Sequence, residues 1–497
     1  MHSVETKRKE LSDIEPIYEI IQDAIDGESA IKAKTSQYLP IPSSCKNSIY
    51  DPRYIAYQTR ALYFNLTQPT RDALVGQIFL RPPIIEVPDL LQPVVDDMNG
   101  EGLNLEQLTR YAANHVLPFG RGGLLTDFPI SDGEITRGEV LDGTKRPIIR
   151  FFEPWAIRNW RKEKIGTIYK LVMLVLDESY DTFDEQNEFA IVTEIRQRVY
   201  KLVDNTCQVE VYQDGEITER YQINDSSGIG LNEIPFDFIG SENNDADVDL
   251  PPFTNLATLN IAHYRNSADY EESVYLIGQP TLVLAGLTQD WVDENFTNGI
   301  EIGSRTAIPL PENGSASLLQ AEANMLAYEA MTHKEEQMIA IGAKITNPSR
   351  SSVERKEAEI EIEAASQKSV LTTIKDNLQL AIKAALIRAA KFIGTELSDD
   401  SFKIELNSNF DLRTMNGDEL RSVMEAYDGH KLAFTEMREA LRRSGLAKLT
   451  DTEALAAIKA DLPMKKNFME EMTPEPTVTP VAGGTAKKKS PSPASKK

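Results

Sequence analysis

Helical spacing opens the chain. Residues 14–25, IEPIYEIIQDAI, repeat apolar positions at intervals of three and four and predict a helix. Residues 54–79 predict two helices broken at Pro69, with Thr67 or Thr70 at the cap of the second. Residues 104–117 predict another, closed by Pro118 and Gly120. From about 146 to 240 the period changes to two. RPIIRFFEP, IYKLVMLVLDES, FAIVTEIRQRVYKLV and TCQVEVYQDGEITERYQI are rich in β-branched and aromatic residues, and Cys207, Val209 and Val211 fall on one face. Asp214-Gly215 is a hairpin turn, so this stretch reads as an antiparallel meander. Helical patterning resumes at 253–275 and 321–341, with a short mixed region at 276–318 between them.

The longest apolar pattern lies between Ser351 and Gly394, with neither proline nor glycine before its last residue. Ser351 and Glu354 form an S-x-x-E capping box, and Gly394 is a terminator. One continuous helix there would reach roughly 60 Å at ~1.5 Å per residue. Its second half carries a seam of Leu371, Ile374, Leu378, Ala381, Ala385, Ala389 and Phe392, while its first half is strongly charged. GAKITNPSRSS (342–352) precedes it, and Gly342 and Pro348 predict a break in the helix there. SFKIELNSNF (401–410) reads as a strand, and 417–462 as three short helices. From Met472 the Pro/Thr/Ala/Gly/Lys-rich composition predicts disorder. The mixture of helical and strand segments predicts an α+β chain of several packing units.

Composition narrows the chemistry. With 497 residues and 41% hydrophobic residues the chain can bury a sizeable core. A formal net charge of −24 argues against a protein that coats DNA by neutralising phosphates. The charged N-terminus lacks the apolar core of a signal peptide, and no apolar run is long enough to span a bilayer, so a soluble protein with no membrane partner is expected. Cys45 and Cys207 imply no disulfide framework, and the five histidines fall in no ligand spacing, so no metal site and no cofactor are expected.

Three stretches could carry chemistry. FGRGGLLTDFP (119–129) is glycine-rich, but no G-K-[ST] follows, and a tight turn with close backbone packing competes with a phosphate cradle. Glu242, Asp245, Asp247 and Asp249 could offer oxygens to a divalent cation, yet the EF-hand spacing is missing and a solvated loop fits better. No G-x-S-x-G occurs, and no catalytic residues can be nominated from spacing. The basic tail KKKSPSPASKK (487–497) could touch DNA or an acidic partner, or simply be a solvated terminus.

The order of segments resembles tailed-bacteriophage portal proteins, the head-to-tail connectors, in a branch often known only as a phage domain of unknown function. YIAYQTRALYFNLTQPTRDALVGQIFLRPP (54–83) resembles the family's early helical segment, with its closing glycine-Ile-Phe and proline phrase. LTRYAANHVLPFGRGGLLTDFP (108–129) resembles its helix and following strand, although Thr126 stands before Asp127 and Phe128 replaces the usual Tyr. MTHKEEQMIAIGAKIT (331–346) and DELRSVMEAYDGHKLAFTEMREALRRSGL (418–446) resemble later helical segments. The likeness covers most of residues 50–460, and no single phrase would suffice.

That resemblance implies a plan. Residues 1–252 would be the wing, 253–275 and 321–341 two stem helices, and 276–320 the clip. Residues 342–352 would be the tunnel loop, 353–416 a long helix crossing the wing with a returning strand, 417–465 the crown and 466–497 a disordered tail. It implies a non-enzymatic ring, a dodecamer in the virion, at one capsid vertex. The ring would be the channel for genome packaging and ejection. Terminase large subunit, head–tail adaptor, major capsid and scaffolding proteins, and double-stranded DNA would be its partners. Assembly would take place in the host cytoplasm. Lys344, Asn347 and Arg350 would meet passing phosphates. Leu371, Ile374, Leu378 and Ala385 would pack the long helix against its own wing and against neighbouring copies. The rival readings are a head–tail adaptor, whose chains are usually shorter, and a nucleotide- or phosphate-binding enzyme using 119–129.

Overall fold

The computed structural model describes residues 4–128, 138, 145–184, 187–225, 227–279, 281–295, 310–319, 325–346, 369–395, 397, 402–407, 417–443, 446, 447, 449, 451 and 453–460. They form two units, Met1–Phe410 and Asp411–Lys497. The fold is α+β.

In the first unit, helices α1 (Lys9–Asp26), α2 (Glu28–Ala33), α3 (Pro52–Arg60), α4 (Thr67–Ile78), α5 (Gln92–Asp96) and α6 (Leu105–Phe119) lead into strand β2 (Arg121–Asp127), with β1 (Ile84–Glu86) between α4 and α5. The break between α3 and α4 lies at residues 61–66 and not at Pro69. Pro69 sits in the first turn of α4, where its missing N–H has no helical acceptor to lose. Helix α6 starts at a reciprocal cap, with Asn104 Oδ1 accepting from Gln107 N at 2.9 Å and Gln107 Oε1 accepting from Asn104 N at 3.0 Å. It runs through Pro118 and closes at Gly120, whose φ of 72° needs no Cβ.

The period-two region is two sheets. Strand β2 is the centre of a three-stranded antiparallel sheet, between β3 (Ile148–Phe152) and β9 (Phe236–Gly240). The expected meander is five antiparallel strands in sequence order: β4 (Ile157–Ile165), β5 (Ile168–Asp184), β6 (Asn187–Val203), β7 (Thr206–Gln213) and β8 (Glu216–Gln222). Asp214 (φ 51°) and Gly215 (φ 83°) turn β7 into β8, and Asp204 (φ 49°) and Asn205 (φ 59°) turn β6 into β7. Both pairs have the positive φ that matches the twist of a two-residue hairpin. Cys207, Val209 and Val211 are all buried, the first two in one core.

Helix α7 (Thr254–Ile277) is followed by β10 (Thr281–Ala285), α8 (Gln289–Asn295) and β11 (Ser315–Leu319), which pairs antiparallel with β10. Helix α9 (Leu326–Thr346) then runs straight through Gly342. The predicted break at Gly342 is therefore a correction: a Cβ there would meet Thr70 Cγ2 at 3.0 Å, so this glycine serves close packing of α9 on α4.

Helix α10 is Val370–Phe392, not Ser351–Gly394. Ser369 has extended backbone (φ −64°, ψ 150°), and its Oγ accepts from Thr372 N at 3.1 Å, so a fresh N-cap interrupts the apolar run. The Ser351/Glu354 capping box lies outside the described residues. Gly394 (φ 74°) ends α10, with Thr395 N donating to Ala390 O at 2.9 Å. Strand β12 (Lys403–Glu405) returns to pair with β1.

Two apolar cores result. One joins α1–α6, the first half of α7 and α10. The other fills the space between the two larger sheets, where Trp160, Leu174, Tyr200, Val209 and Phe238 meet Phe392 of α10. Phe392 stacks flat on Phe128 at 5.0 Å. Between the sheets, Arg198 Nη1 donates to Asp127 Oδ2 at 2.7 Å and its Nη2 lies 3.1 Å from Glu178 Oε2. The second unit contains α11 (Gly417–Asp428), α12 (Phe434–Arg443) and helical residues 453–460. The basic tail from 487 onward lies outside the described residues.

Candidate functional site

Helices α7 and α9 form an antiparallel pair. His263 Nε2 lies 3.0 Å from Glu335 Oε1, and the rings of Tyr270 and Tyr328 are 5.9 Å apart. The first half of α7 is anchored in the core by Leu256, Ala257, Ile261, Tyr264 and Ala268. Asn260 is fully buried: its Oδ1 accepts from Leu66 N, Thr67 N and Thr67 Oγ1, and its Nδ2 donates to Phe64 O at 2.8 Å. Further along, Tyr57 OH donates to Asp269 at 2.6 Å, Arg60 pairs with Glu272, and the Arg60 guanidinium lies over the Tyr275 ring at 4.2 Å.

Beyond those ties the burial ends while the apolar residues continue. Val274 and Leu276 on α7, Leu326 and Tyr328 on α9, and Val283, Leu318 and Leu319 of the small sheet are all exposed. Scattered exposed apolar residues are ordinary, but a run along one module is the feature of a surface that meets another surface.

The predicted site residues divide. Leu371, Ile374, Leu378 and Ala385 are all completely buried inside this chain's own core. Helix α10 packs on β2, β9 and α6; Thr126 Oγ1 donates to Ala385 O at 3.4 Å, and Asn377 Nδ2 donates to Gly240 O at 2.9 Å. The four residues pack the helix against this chain's own sheet and helices, as expected of one half of the seam's role, and with no exposed surface they leave none for the expected packing against other copies. Lys344 is exposed in the last turn of α9, on helix and not on a loop. Asn347 and Arg350, with the rest of 347–352, lie outside the described residues.

The glycine-rich stretch is not a phosphate cradle. Residues 121–127 are the central strand of a sheet, so their amides belong to ladders on both sides. A Cβ at Gly122 would meet Phe151 Cζ at 2.5 Å and one at Gly123 would meet Phe236 Cζ at 2.1 Å, so both glycines admit aromatic rings. Arg121 is buried with its guanidinium 4.2 Å from the Trp160 ring and 4.8 Å from Phe238, and Nη1 donates to Asp247 O at 2.8 Å. Burial pulls its pKa down to about 10, against the opposing pull of Tyr18 and Asp249. This is an arginine that ties a loop to a core. A groove of about 540 Å³ along α1 is lined by Glu15, Glu19 and Asp23, whose charge opposes an anionic phosphate.

In the acidic stretch Asp245 and Asp249 turn their carboxylates on the loop itself, while Asp247 Oδ1 lies 3.6 Å from Lys162 Nζ. Asp249 Oδ2 accepts from Glu242 N at 2.8 Å and Ser241 Oγ at 3.3 Å, and Asp245 Oδ1 accepts from Asp247 N at 2.7 Å. Among the described residues no three His, Cys, Asp or Glu side chains converge as a metal site. No helix among them is long and apolar enough to cross a membrane.

A family model described as a domain of unknown function (DUF4055) matches residues 252–393, which begins just ahead of α7 and ends at the close of α10. No curated protein matches the chain. Similar solved structures include "Virion of native gene transfer agent (GTA) particle", at 14% identity and TM-score 0.39 over 84% of this chain and 99% of that one. "Neck of native GTA particle computed with C12 symmetry" is similar at 11% identity and TM-score 0.37, over 85% and 100%. "Neck of empty GTA particle computed with C6 symmetry" is similar at 13% identity and TM-score 0.38, over 82% and 97%.

Proposed function

We propose that this chain is the portal subunit of a phage-type particle, a non-enzymatic protein whose copies close into a ring around a DNA channel. In this reading α7 and α9 are the stem, the β10–α8–β11 module is the clip, and the first unit around the two sheets is the wing. The observation that carries the reading is the stem itself. An antiparallel helix pair, rooted in the core at one end, extends a separate small sheet at the other and keeps its apolar residues in water. A lone copy gains nothing by exposing Val274, Leu276, Leu326 and Leu319. Copies arranged around an axis would cover them, and a heterologous contact that closes on itself makes a ring. The matched domain spans this stem, clip and α10 together.

Terminase would dock on the clip and supply the packaging energy, and a head–tail adaptor would follow it. The channel lining would include Lys344 at the end of α9, with Asn347 and Arg350 beyond it. The acidic balance of −24 suits a channel, because a tightly neutralised phosphate backbone would stall on its walls. Electron microscopy and native mass spectrometry of the purified chain test the reading: rings with a central opening are expected. Only monomers and dimers across a range of salt and concentration would sink it, as would steady ATP hydrolysis by the purified chain.

A further inference from the structure

Strand β5 carries a different charge at each end. Residues 161–170, the β4–β5 hairpin, hold Arg161, Lys162, Lys164 and Lys170 against a single acid, Glu163. Residues 177–196, the β5–β6 ribbon, hold seven acids against a single base, Arg196. Both ends carry exposed apolar side chains. At the basic end these are Ile165, Ile168 and Tyr169; at the acidic end they are Phe189, Ile191, Val192 and Ile195.

The ribbon is structurally incomplete. Strand β4 pairs with β5 only as far as Leu176, and β7 pairs with β6 only from Gln197 onward. Among the described residues, therefore, no third strand lies beside 177–184 or 187–196. One face is polar and closed on itself. There Tyr180 OH donates to Glu194 at 2.9 Å, Arg196 Nε donates to Glu178 at 3.2 Å, and Gln213 Nε2 donates to Glu194 at 2.6 Å. The other face is mixed: Ile191 and Ile195, exposed at 64% and 61%, flank Thr193, whose Oγ1 donates to Asp181 Oδ1 at 2.8 Å. A two-stranded ribbon that keeps large apolar side chains in water is marginal on its own.

We propose that the basic β4–β5 hairpin of one copy seats on the acidic β5–β6 ribbon of the next, as a repeating contact between neighbours. The inference rests on the ring reading above and names surfaces that meet in it. Opposite charge with apolar residues at both ends suits a heterologous, head-to-tail contact. The chain cannot join these ends itself. Tyr169 and Phe183, which pairs with Ile191, are fourteen residues apart on one strand, or roughly 46 Å at ~3.3 Å each.

Charge reversal and cross-linking test it on the full chain. Lys162→Glu with Lys164→Glu and Lys170→Glu reverses the basic end. Asp181→Lys with Glu194→Lys reverses the acidic end. Either set is expected to raise the protomer concentration for half-assembly by at least roughly tenfold, and the two sets combined to restore it within about threefold. Tyr169→Cys with Ile191→Cys, in a Cys45→Ser background, is expected to give an oxidised ladder of covalent multimers. An internal disulfide is excluded, since its Cα atoms would need to lie within ~7 Å. Circular dichroism and urea midpoints verify that each variant folds, and the exposed cysteine pair gives a result that does not depend on the charge variants. Rings that form normally with every reversal and give no ladder would overturn this contact and leave the ring reading standing. A ladder without closed rings would keep the contact and sink the ring. Loss of duplex-DNA retention with unchanged assembly in the basic-end variant would make that hairpin a nucleic-acid contact and overturn the proposal. Absence of both rings and ladder at every salt concentration would remove both.

Discussion

Asn260 has no exposed atom, yet its side-chain amide is matched on both sides, joining α7 to the start of α4. Truncation to alanine strands two backbone amides and a buried hydroxyl. Asn260→Ala is expected to cost about 3 kcal/mol, since each unmet buried group costs roughly 1–3. Urea unfolding checks this; a loss below about 1 kcal/mol would mean that water reaches the site. Nothing in the pattern NLATLNIAHYRN distinguishes Asn260 from any helical asparagine. Its role depends on residues 64–67, almost two hundred positions away, and no local spacing encodes that. Gly122 and Gly123 lie at the other extreme. Their presence was plain in the sequence, but only the positions of Phe151 and Phe236 decide that they receive rings and not phosphates.

At the scale of elements, helix α10 is the clearest case. The seam of Leu371, Ile374, Leu378 and Ala385 was legible, because period 3.6 requires only the order of residues. What the seam packs against was not. It meets β2, β9 and α6 of its own chain. Leu378→Asp therefore places a charge in the subunit core and is expected to prevent folding of the protomer itself. Soluble, folded monomers of this variant by circular dichroism, failing only in assembly, would return the seam to an interface. The start of the helix is hidden in the sequence for a related reason. Ser369 lies inside an unbroken helical pattern, and the preference of serine for an N-cap competes with that pattern until packing selects one. Gly342 went the other way: glycine weakens a helix by only about 1 kcal/mol, and close approach to Thr70 outweighs it.

For the whole molecule, the proposed ring gives Lys344 and Arg350 a shared task, to touch passing phosphates lightly. Few contacts are required, because affinity climbs steeply with each neutralised phosphate. Lys344→Ala with Arg350→Ala is expected to leave ring assembly intact and to alter packaged DNA per particle. Normal packaging and retention in particles built with this variant would remove these residues from the channel. The charge-swap experiment acts at the same scale but elsewhere, on the two ends of the five-stranded sheet. A protein of net charge −24 repels its own copies broadly, so a local basic hairpin is where approach is least opposed.

The sequence by itself determined the elements and their class. Apolar period placed the helices, period two and positive-φ turn residues placed the meander, and Asp214-Gly215 set its hairpin. These are local properties, set by side-chain order and by φ/ψ preference within a few residues. The tertiary structure decided which surfaces are spent inside the subunit and which remain outside. It closed the α10 seam, filled the glycine strand with phenylalanines, and turned the acidic loop on its own amides. It left the distal stem and the two ends of β5 uncovered. Burial is the sum of contacts between residues hundreds of positions apart, and an apolar residue reads the same in sequence whether its partner is in its own chain or in the next.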